Sequence, residues 1–306
     1  MKKKIIITGG SGFLGMHLIK ELINKDNQVF APSSKDLNLL NYDDFKSISQ
    51  NFDEIYHLAA WTQAGDFCLK NPGLQWIKNQ QINTNIIKWW NESQRNAKLI
   101  FIGTSCCYDE NGSHSEENYI TDIPHKSLFT YAFTKKMLLL GAKSCQDQFD
   151  MRWFSPVPST LYGSNYHTDK RQQHFIFDLI KKILSAKKSN YKVELWGDGN
   201  QRREIVHVED FVKYLIKLND KINNDIINIG ASKDYSIKEF ARIICKIVDF
   251  DEKKIVYDPS KYTGVKKKKL NTNKIEKIFP NYKDDLTKLE QGLISTIKWY
   301  KDKFNL

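Results

Sequence analysis

The sequence of 306 residues predicts a doubly wound α/β fold: a parallel sheet with helices on both faces, followed by a smaller C-terminal lobe that is discontinuous in sequence. Three observations carry this. A β-branched run from Lys4 to Thr8 leads at once into a glycine turn and then into apolar residues at helical spacing. Strand-like and helix-like stretches then alternate through the first half of the chain, the pattern of a parallel sheet. Past Gly163 the alternation weakens, and a polar stretch from Ser164 to Gln173 opens a segment of different character.

Taken in order, Lys4 to Thr8 reads as a strand, Gly9 to Gly15 as a turn, and Leu18, Leu22 and Ile23 mark the inner face of a helix. Gln28 to Ala31 reads as the second strand, Ile55 to Ala60 as the third and Leu99 to Gly103 as the fourth. Helices are expected around Asp43 to Gln50, Asn79 to Ser93 and Leu128 to Gln148, and an amphipathic one near Phe175 to Leu184. The apolar runs Ile205 to Val208 and Ile226 to Gly230 are placed to return to the main sheet. Residues 1–163, rejoined by 205–229, then form one lobe, and residues 164–204 with 230–306 form the other.

Composition narrows the classes. With 41% hydrophobic and 12% aromatic residues the chain is not of the disordered kind. Met1 to Lys4 resembles the start of a signal peptide, but only Ile5 to Ile7 follow before the glycines, and no apolar run approaches the ~18 residues of a membrane span. A soluble cytoplasmic protein without a membrane or nucleic-acid partner is the expectation. Cys68, Cys106, Cys107, Cys145 and Cys245 are odd in number and lack metal-type spacing, so free thiols and no metal are expected. The net charge of +11 is largely scattered and densest from Lys266 to Lys269, where a solvated loop or helix face is the expected reading and a diphosphate-contacting loop or a nucleic-acid contact the alternatives.

Gly9, Gly12 and Gly15 lie between a strand and a helix, at a spacing that lets the backbone approach a pyrophosphate and places it on the helix N-terminus, beside Phe13 and Leu14. Dinucleotide binding follows. After the second strand comes Ser33-Ser34-Lys35-Asp36-Leu37, with no acid directly at the strand end. Two hydroxyls and a lysine suit a ribose 2′-phosphate, so NADP(H) is favoured. NAD(H) stays open, because Asp36 is able to turn towards the ribose.

Tyr131 and Lys135 stand four apart on an expected helix, following Thr104 at the end of the fourth strand. Residues at that spacing share a helix face, and a neighbouring ammonium favours a phenolate, which suits tyrosine to exchange a proton with a sugar hydroxyl or ketone. With these motifs the chain resembles the extended short-chain dehydrogenase/reductases, the NAD-dependent epimerase/dehydratase branch with its Rossmann-type sheet. His57-Leu58-Ala59-Ala60, Asn79, Pro158 to Gly163, and Trp196 to Gly199 with Arg202 to Asp210 are similar to that family's segments. The resemblance implies that Ala59, Asn79 and Pro158 lie along the cofactor. His57 is read as a buried strand-end residue.

Within the branch the chain most resembles the GDP-L-fucose synthases, on Asp36 to Leu39, Thr104-Ser105-Cys106-Cys107-Tyr108 and Gln173 to Ile176. That implies a nucleotide-diphosphate sugar as substrate, with Thr104 polarising the sugar oxygen and Tyr131 as acid/base. Lys135 would hold tyrosine and ribose, and Cys106 and His174 would act on carbons 3 and 5. For both, structural roles remain alternatives: Cys106 as a small buried residue, His174 as a capping or contact residue. Ser105, Thr160, Trp196, Arg203 and one of Lys267 or Lys268 are expected around the substrate, the cations at its diphosphate. Gly10-Ser11 departs from that group's turn, as Thr160 and Trp61 to Asp66 depart from its substrate positions. Rival readings are a 4-epimerase that retains NAD(H) and a non-catalytic dinucleotide-responsive protein. The family resemblance also implies a homodimer through the second and third of the long helices, with Met137 to Leu140 supplying both a core face and a partner face.

Overall fold

Three successive isoleucines leave β1 (Lys4–Thr8) without a polar face, and the strand is buried on both sides, as the centre of a parallel sheet requires. In a computed structural model, which describes residues 2–304 apart from 170 and 262, the first lobe follows in the expected alternation. It comprises α1 (Phe13–Asn24), β2 (Gln28–Phe30), α2 (Tyr42–Phe45), β3 (Glu54–His57), α3 (Phe67–Lys70), α4 (Pro72–Ser93), β4 (Lys98–Phe101), α5 (Phe129–Phe149) and β5 (Trp153–Pro158). The chain continues through β6 (Thr160–Tyr162), α6 (Phe175–Ser189), β7 (Val193–Trp196), β8 (Arg202–Arg203), β9 (Ile205–His207), α7 (Val208–Asn219) and β10 (Asp225–Ile229). It ends with β11 (Tyr235–Ser236), α8 (Ile237–Val248), β12 (Ile255–Asp258), β13 (Lys267–Lys268), α9 (Asn273–Ile278) and α10 (Leu289–Phe304).

The main sheet has six parallel strands in the order β10-β5-β4-β3-β1-β2. The strand order reverses between β1 and β3, and the crevice beyond their carboxyl ends is where such sheets bind ligands. Helices α4 and α5 cover one face, burying Trp89, Trp90, Leu138 and Leu139. Helices α1 and α7 cover the other with Leu18, Leu22, Phe211 and Leu215. A separate core of Ile176, Ile180, Phe240, Ile244 and Leu293 lies under α6, α8 and α10. Among the described residues no helix is long and apolar enough to cross a membrane.

Four expectations about elements change. The third strand stops at His57, three residues short of Ala60, because Leu58 to Ala60 bend against the glycine turn. The helix expected from Asp43 to Gln50 is the single turn α2: Asn41 caps its start, and the Ser47 hydroxyl donates to the Asp44 carbonyl as the chain turns away. Helix α4 begins seven residues before Asn79, with Pro72 in its first turn. Finally, Ile205 to Val208 do not join the main sheet. β9 pairs in parallel with β6, Thr160 opposite Ile205, and the return to the sheet is made by α7 on its face and β10 at its edge.

Candidate active site

The glycine turn is built by contact. Gly9 has φ of +75°, and a Cβ there would lie 2.8 Å from the Ala59 backbone nitrogen, so the turn after β1 touches the turn after β3. A Cβ on Gly15 would fall 2.4 Å from the Gly9 carbonyl oxygen; only glycine lets α1 sit this close to its strand. Gly12 is different. It is exposed, and a Cβ there would meet only the Gly9 oxygen, at 3.2 Å. The open face beside Gly12, at the N-terminus of a helix with no acid in its first turn, fits a dinucleotide pyrophosphate. Leu14 packs towards the α1–α7 core, while the Phe13 ring meets Tyr166 edge-on at 5.1 Å and His17 Nε2 lies 2.9 Å from the Ser164 carbonyl oxygen. The cofactor helix is thereby tied to the start of the second lobe.

Beyond β2, Ser33, Ser34, Lys35 and Asp36 are exposed and Leu37 is buried beneath them. The Asp36 carboxylate accepts from the Ser33 hydroxyl at 2.6 Å and from its backbone N–H at 3.1 Å, and these bonds hold its pKa below the usual carboxylate value. Asp36 is thus engaged within its own turn, which leaves Lys35 and Ser34 facing solvent. Across the crevice, Asn79 is a clamp: its side chain accepts from the Trp61 N–H at 2.8 Å and donates to the Trp61 carbonyl at 3.0 Å, fixing the loop after β3. Pro158 ends β5, opposite Ile229 on β10.

At the end of β4 the Thr104 side chain accepts from the Cys106 N–H at 3.2 Å and starts a short 3-10 turn through Ser105 and Cys107, while the Thr104 N–H donates to the Tyr119 hydroxyl at 3.1 Å. Tyr131 reaches this turn from α5. Burial pushes its phenol well above the ordinary tyrosine value, the thiols Cys106, Cys107 and Cys68 add to the rise, and a hydrogen bond with Thr104 draws it back. Lys135, one turn further along and buried, is itself pushed down to about 8 by desolvation. The phenol is thus raised within the protein alone, where a lowered value was expected, and burial is the first cause. His57, buried completely, lies 2.8 Å from the Thr8 hydroxyl through Nδ1, and desolvation holds its pKa at about 3, as befits a neutral strand-end residue.

The second lobe supplies the opposite wall. His174 stands at the N-terminus of α6, exposed to the cleft, its N–H donating to the Tyr166 hydroxyl at 3.3 Å. Desolvation first, and then the charges of Lys268 and His167, lower its imidazole pKa. Lys268 Nζ approaches Cys106 Sγ at 3.0 Å. Arg203 donates to the Arg202 carbonyl at 2.9 Å and the Thr263 carbonyl at 3.1 Å, and Trp196 is exposed at the end of β7. Thr160 is half-buried on β6. Lys267 lines a separate groove with Glu110 and Lys283. Among the described residues no His, Cys, Asp and Glu side chains gather to hold a metal ion.

Thr104, Cys106, Tyr131 and Lys268 are thus brought together, with Lys267 left outside. Sequence reasoning missed Cys68, which comes from α3 to within electrostatic reach of Cys106 and Tyr131, and Tyr119, which anchors Thr104. It also missed a latch between loops. The Gln172 side-chain amide donates to Asp66 at 2.7 Å, and the Gln172 N–H donates to Gln63 at 3.3 Å, joining the loop after β3 to the one before α6. No spacing in the sequence signals either contact, since each pairs residues about a hundred positions apart.

The sequence profile of the NAD dependent epimerase/dehydratase family matches residues 5–230. Over its full length the chain is similar to the GDP-L-colitose synthase of Yersinia pseudotuberculosis, with 29% identity covering 99% of each chain. It is likewise similar to the GDP-L-fucose synthase of Escherichia coli K12, with 27% identity and again 99% of each. Among solved structures, a GDP-6-OMe-4-keto-L-xylo-heptose reductase from C. jejuni superposes with a TM-score of 0.86 at 22% identity, covering 99% of this chain and 98% of that one. An NADP-bound GDP-L-fucose synthetase from Naegleria fowleri gives 0.85 at 21% identity, covering 100% and 96%. At these identities the two structures establish the shared fold.

Proposed function

The chain belongs to the NAD dependent epimerase/dehydratase family, and on that premise we propose that it is an NADP(H)-dependent reductase of a nucleotide-linked 4-keto-6-deoxy sugar, with epimerase activity at the carbons beside the ketone. The observation that carries this is the meeting of Thr104, Tyr131 and Cys106 at the end of β4, next to a glycine turn whose open face is Gly12. Relatives whose names specify GDP-linked sugars, and a structural neighbour that holds NADP, support the substrate class and the cofactor.

When bound, the nicotinamide would supply the hydride for carbon 4. Thr104 holds the carbonyl oxygen, and Tyr131, protonated through the neutral range by its burial, gives that oxygen its proton as the alcohol forms. Lys135 orients the ribose. Before reduction, the ketone acidifies the adjoining C–H bonds by allowing an enolate, and inversion requires proton exchange on two faces. Cys106 and His174 approach from opposite lobes, which suits them to that exchange. Arg203 receives the diphosphate with Trp196 beside the substrate, and Ser34 and Lys35 receive the 2′-phosphate.

The enzyme works in the cytoplasm as a homodimer. Leu74, Trp76 and Ile77 on α4 and Phe129 and Leu140 on α5 are exposed apolar side chains on the helices that cover one sheet face, and they form the patch for a second copy. The deciding experiment incubates the protein in D2O with NADPH and GDP-, dTDP-, UDP- and CDP-linked 4-keto sugars, then identifies products by NMR. Reduction with deuterium at carbon 3 or 5 is expected with one of them. Reduction without deuterium makes it a plain 4-reductase, and no turnover of any refutes the proposal.

A further inference from the structure

Strand geometry separates the two lysines that sequence alone leaves equivalent. β13 runs parallel to β8 with Lys268 opposite Arg203 and Lys267 opposite Arg202. Side chains alternate across a strand, so Lys268 shares a face with Arg203 and Lys267 shares the other with Arg202. On that other face Arg202 is tied to Asp234 at 2.9 Å and Glu239 at 3.2 Å. Lys268 instead points into the cleft, where its Nζ donates to Cys106 Sγ at 3.0 Å and its charge reaches His174.

We propose that Lys268 is a positioning residue for Cys106: its ammonium, delivered from the second lobe, directs the sulfur as the proton-accepting member of the pair that works beside the ketone. The proposal rests on the reading of Cys106 and His174 as that pair. A charge-assisted hydrogen bond is stronger to a thiolate than to a thiol, and the thiolate is the base. Ionisable groups within electrostatic reach of the sulfur among the described residues include Cys68 from α3, Tyr131 from α5 and Cys107 in the same turn. Each of these would add negative charge on ionising and so oppose a thiolate, whereas Lys268 favours one. The same ammonium also opposes protonation of His174. Because β13 belongs to the second lobe and Cys106 to the first, the base is assembled only where the two lobes meet.

The test is alkylation of the full-length protein by iodoacetamide without substrate, reading the Cys106 peptide by mass spectrometry from about pH 6 to 9, a range that spans ordinary thiol titration. Lys268→Met should slow alkylation at neutral pH by about tenfold, the loss expected when a neighbouring cation no longer favours the thiolate. Lys268→Arg should restore most of the rate, and Lys268→Gln stands in for the methionine variant if that one fails to fold. An alkylation profile unchanged by loss of the charge overturns the proposal. A higher KM for the nucleotide sugar with unchanged alkylation does so in favour of a diphosphate contact. If the unmodified enzyme incorporates no deuterium beside the ketone, the proton-exchange reading fails, whereas the alkylation series still decides whether Lys268 governs the thiol.

Discussion

Substitution of alanine at Gly12 and at Gly15 separates what the glycine turn does for the ligand from what it does for the fold. Gly12 has φ of −77° and ψ of 170°, a conformation open to any L-residue, and its added methyl would meet one atom at 3.2 Å. At a helix N-cap, alanine costs up to about 1 kcal/mol relative to glycine. The methyl would occupy the face proposed for the pyrophosphate, so NADPH affinity should fall at least about tenfold, or ~1.4 kcal/mol. At Gly15 the methyl would lie 2.4 Å from the Gly9 oxygen and 2.6 Å from the Gly10 oxygen, both backbone atoms that cannot rotate aside. The helix must then withdraw from the strand, at the upper end of the ~1–3 kcal/mol of overpacked sites. Urea unfolding without ligand, combined with NADPH fluorescence titration, reads both quantities. Gly12→Ala should be nearly as stable as the native protein and bind poorly, and Gly15→Ala should be clearly less stable. Native NADPH affinity in Gly12→Ala would show that the pyrophosphate lies elsewhere; native stability in Gly15→Ala would show that close approach is not what holds α1.

Lys135 gives a pH signature. Burial puts its folded pKa at about 8 against ~10.4 unfolded, so between those values the unfolded chain holds the extra proton and native stability rises with pH, with the full penalty present below 8. Lys135→Met should abolish that rise and be at least as stable at neutral pH while losing reduction; parallel stability curves for the two proteins would contradict it. Lys35→Ala should weaken NADPH about tenfold and leave NADH unchanged, measured by titration with both, because only NADPH carries the phosphate. Equal losses for the two would reject the 2′-phosphate contact. Sedimentation at micromolar concentration should give a dimer, and Ile77→Asp should give a monomer; a monomeric unmodified protein refutes the interface.

The parts of the molecule legible in sequence are those where local pattern and fold agree. Ile5 to Ile7 with Gly9, Gly12 and Gly15 specify strand, turn and helix together, since each glycine answers a contact within the same short segment. Tyr131 and Lys135 are legible because helical spacing is fixed. Asp43 to Gln50 misleads because its apolar spacing suits a helix while Ser47 bonds back to the backbone. Ile205 to Val208 has the composition of a buried strand, and composition does not say which strand it meets; its partner is β6 rather than a strand of the main sheet. The charge environment of the site is the least legible part. Lys268 against Cys106 joins residues 162 positions apart, and the burial that raises Tyr131 arises only when α5 closes over the end of β4.

The place of β10 at the edge of the main sheet bears on how the polypeptide emerges during synthesis. β5 pairs with β4 on one side and waits for residues 225–229 on the other. Until the intervening second-lobe segment has been made, Trp153 to Pro158 leave one edge unpaired, open to strands from other chains though interrupted by Pro156 and Pro158, which lack an N–H. The order of translation therefore creates an interval of aggregation risk that closes only when β10 docks. It also means that the first lobe cannot be cut free at residue 163 without leaving that edge permanently open.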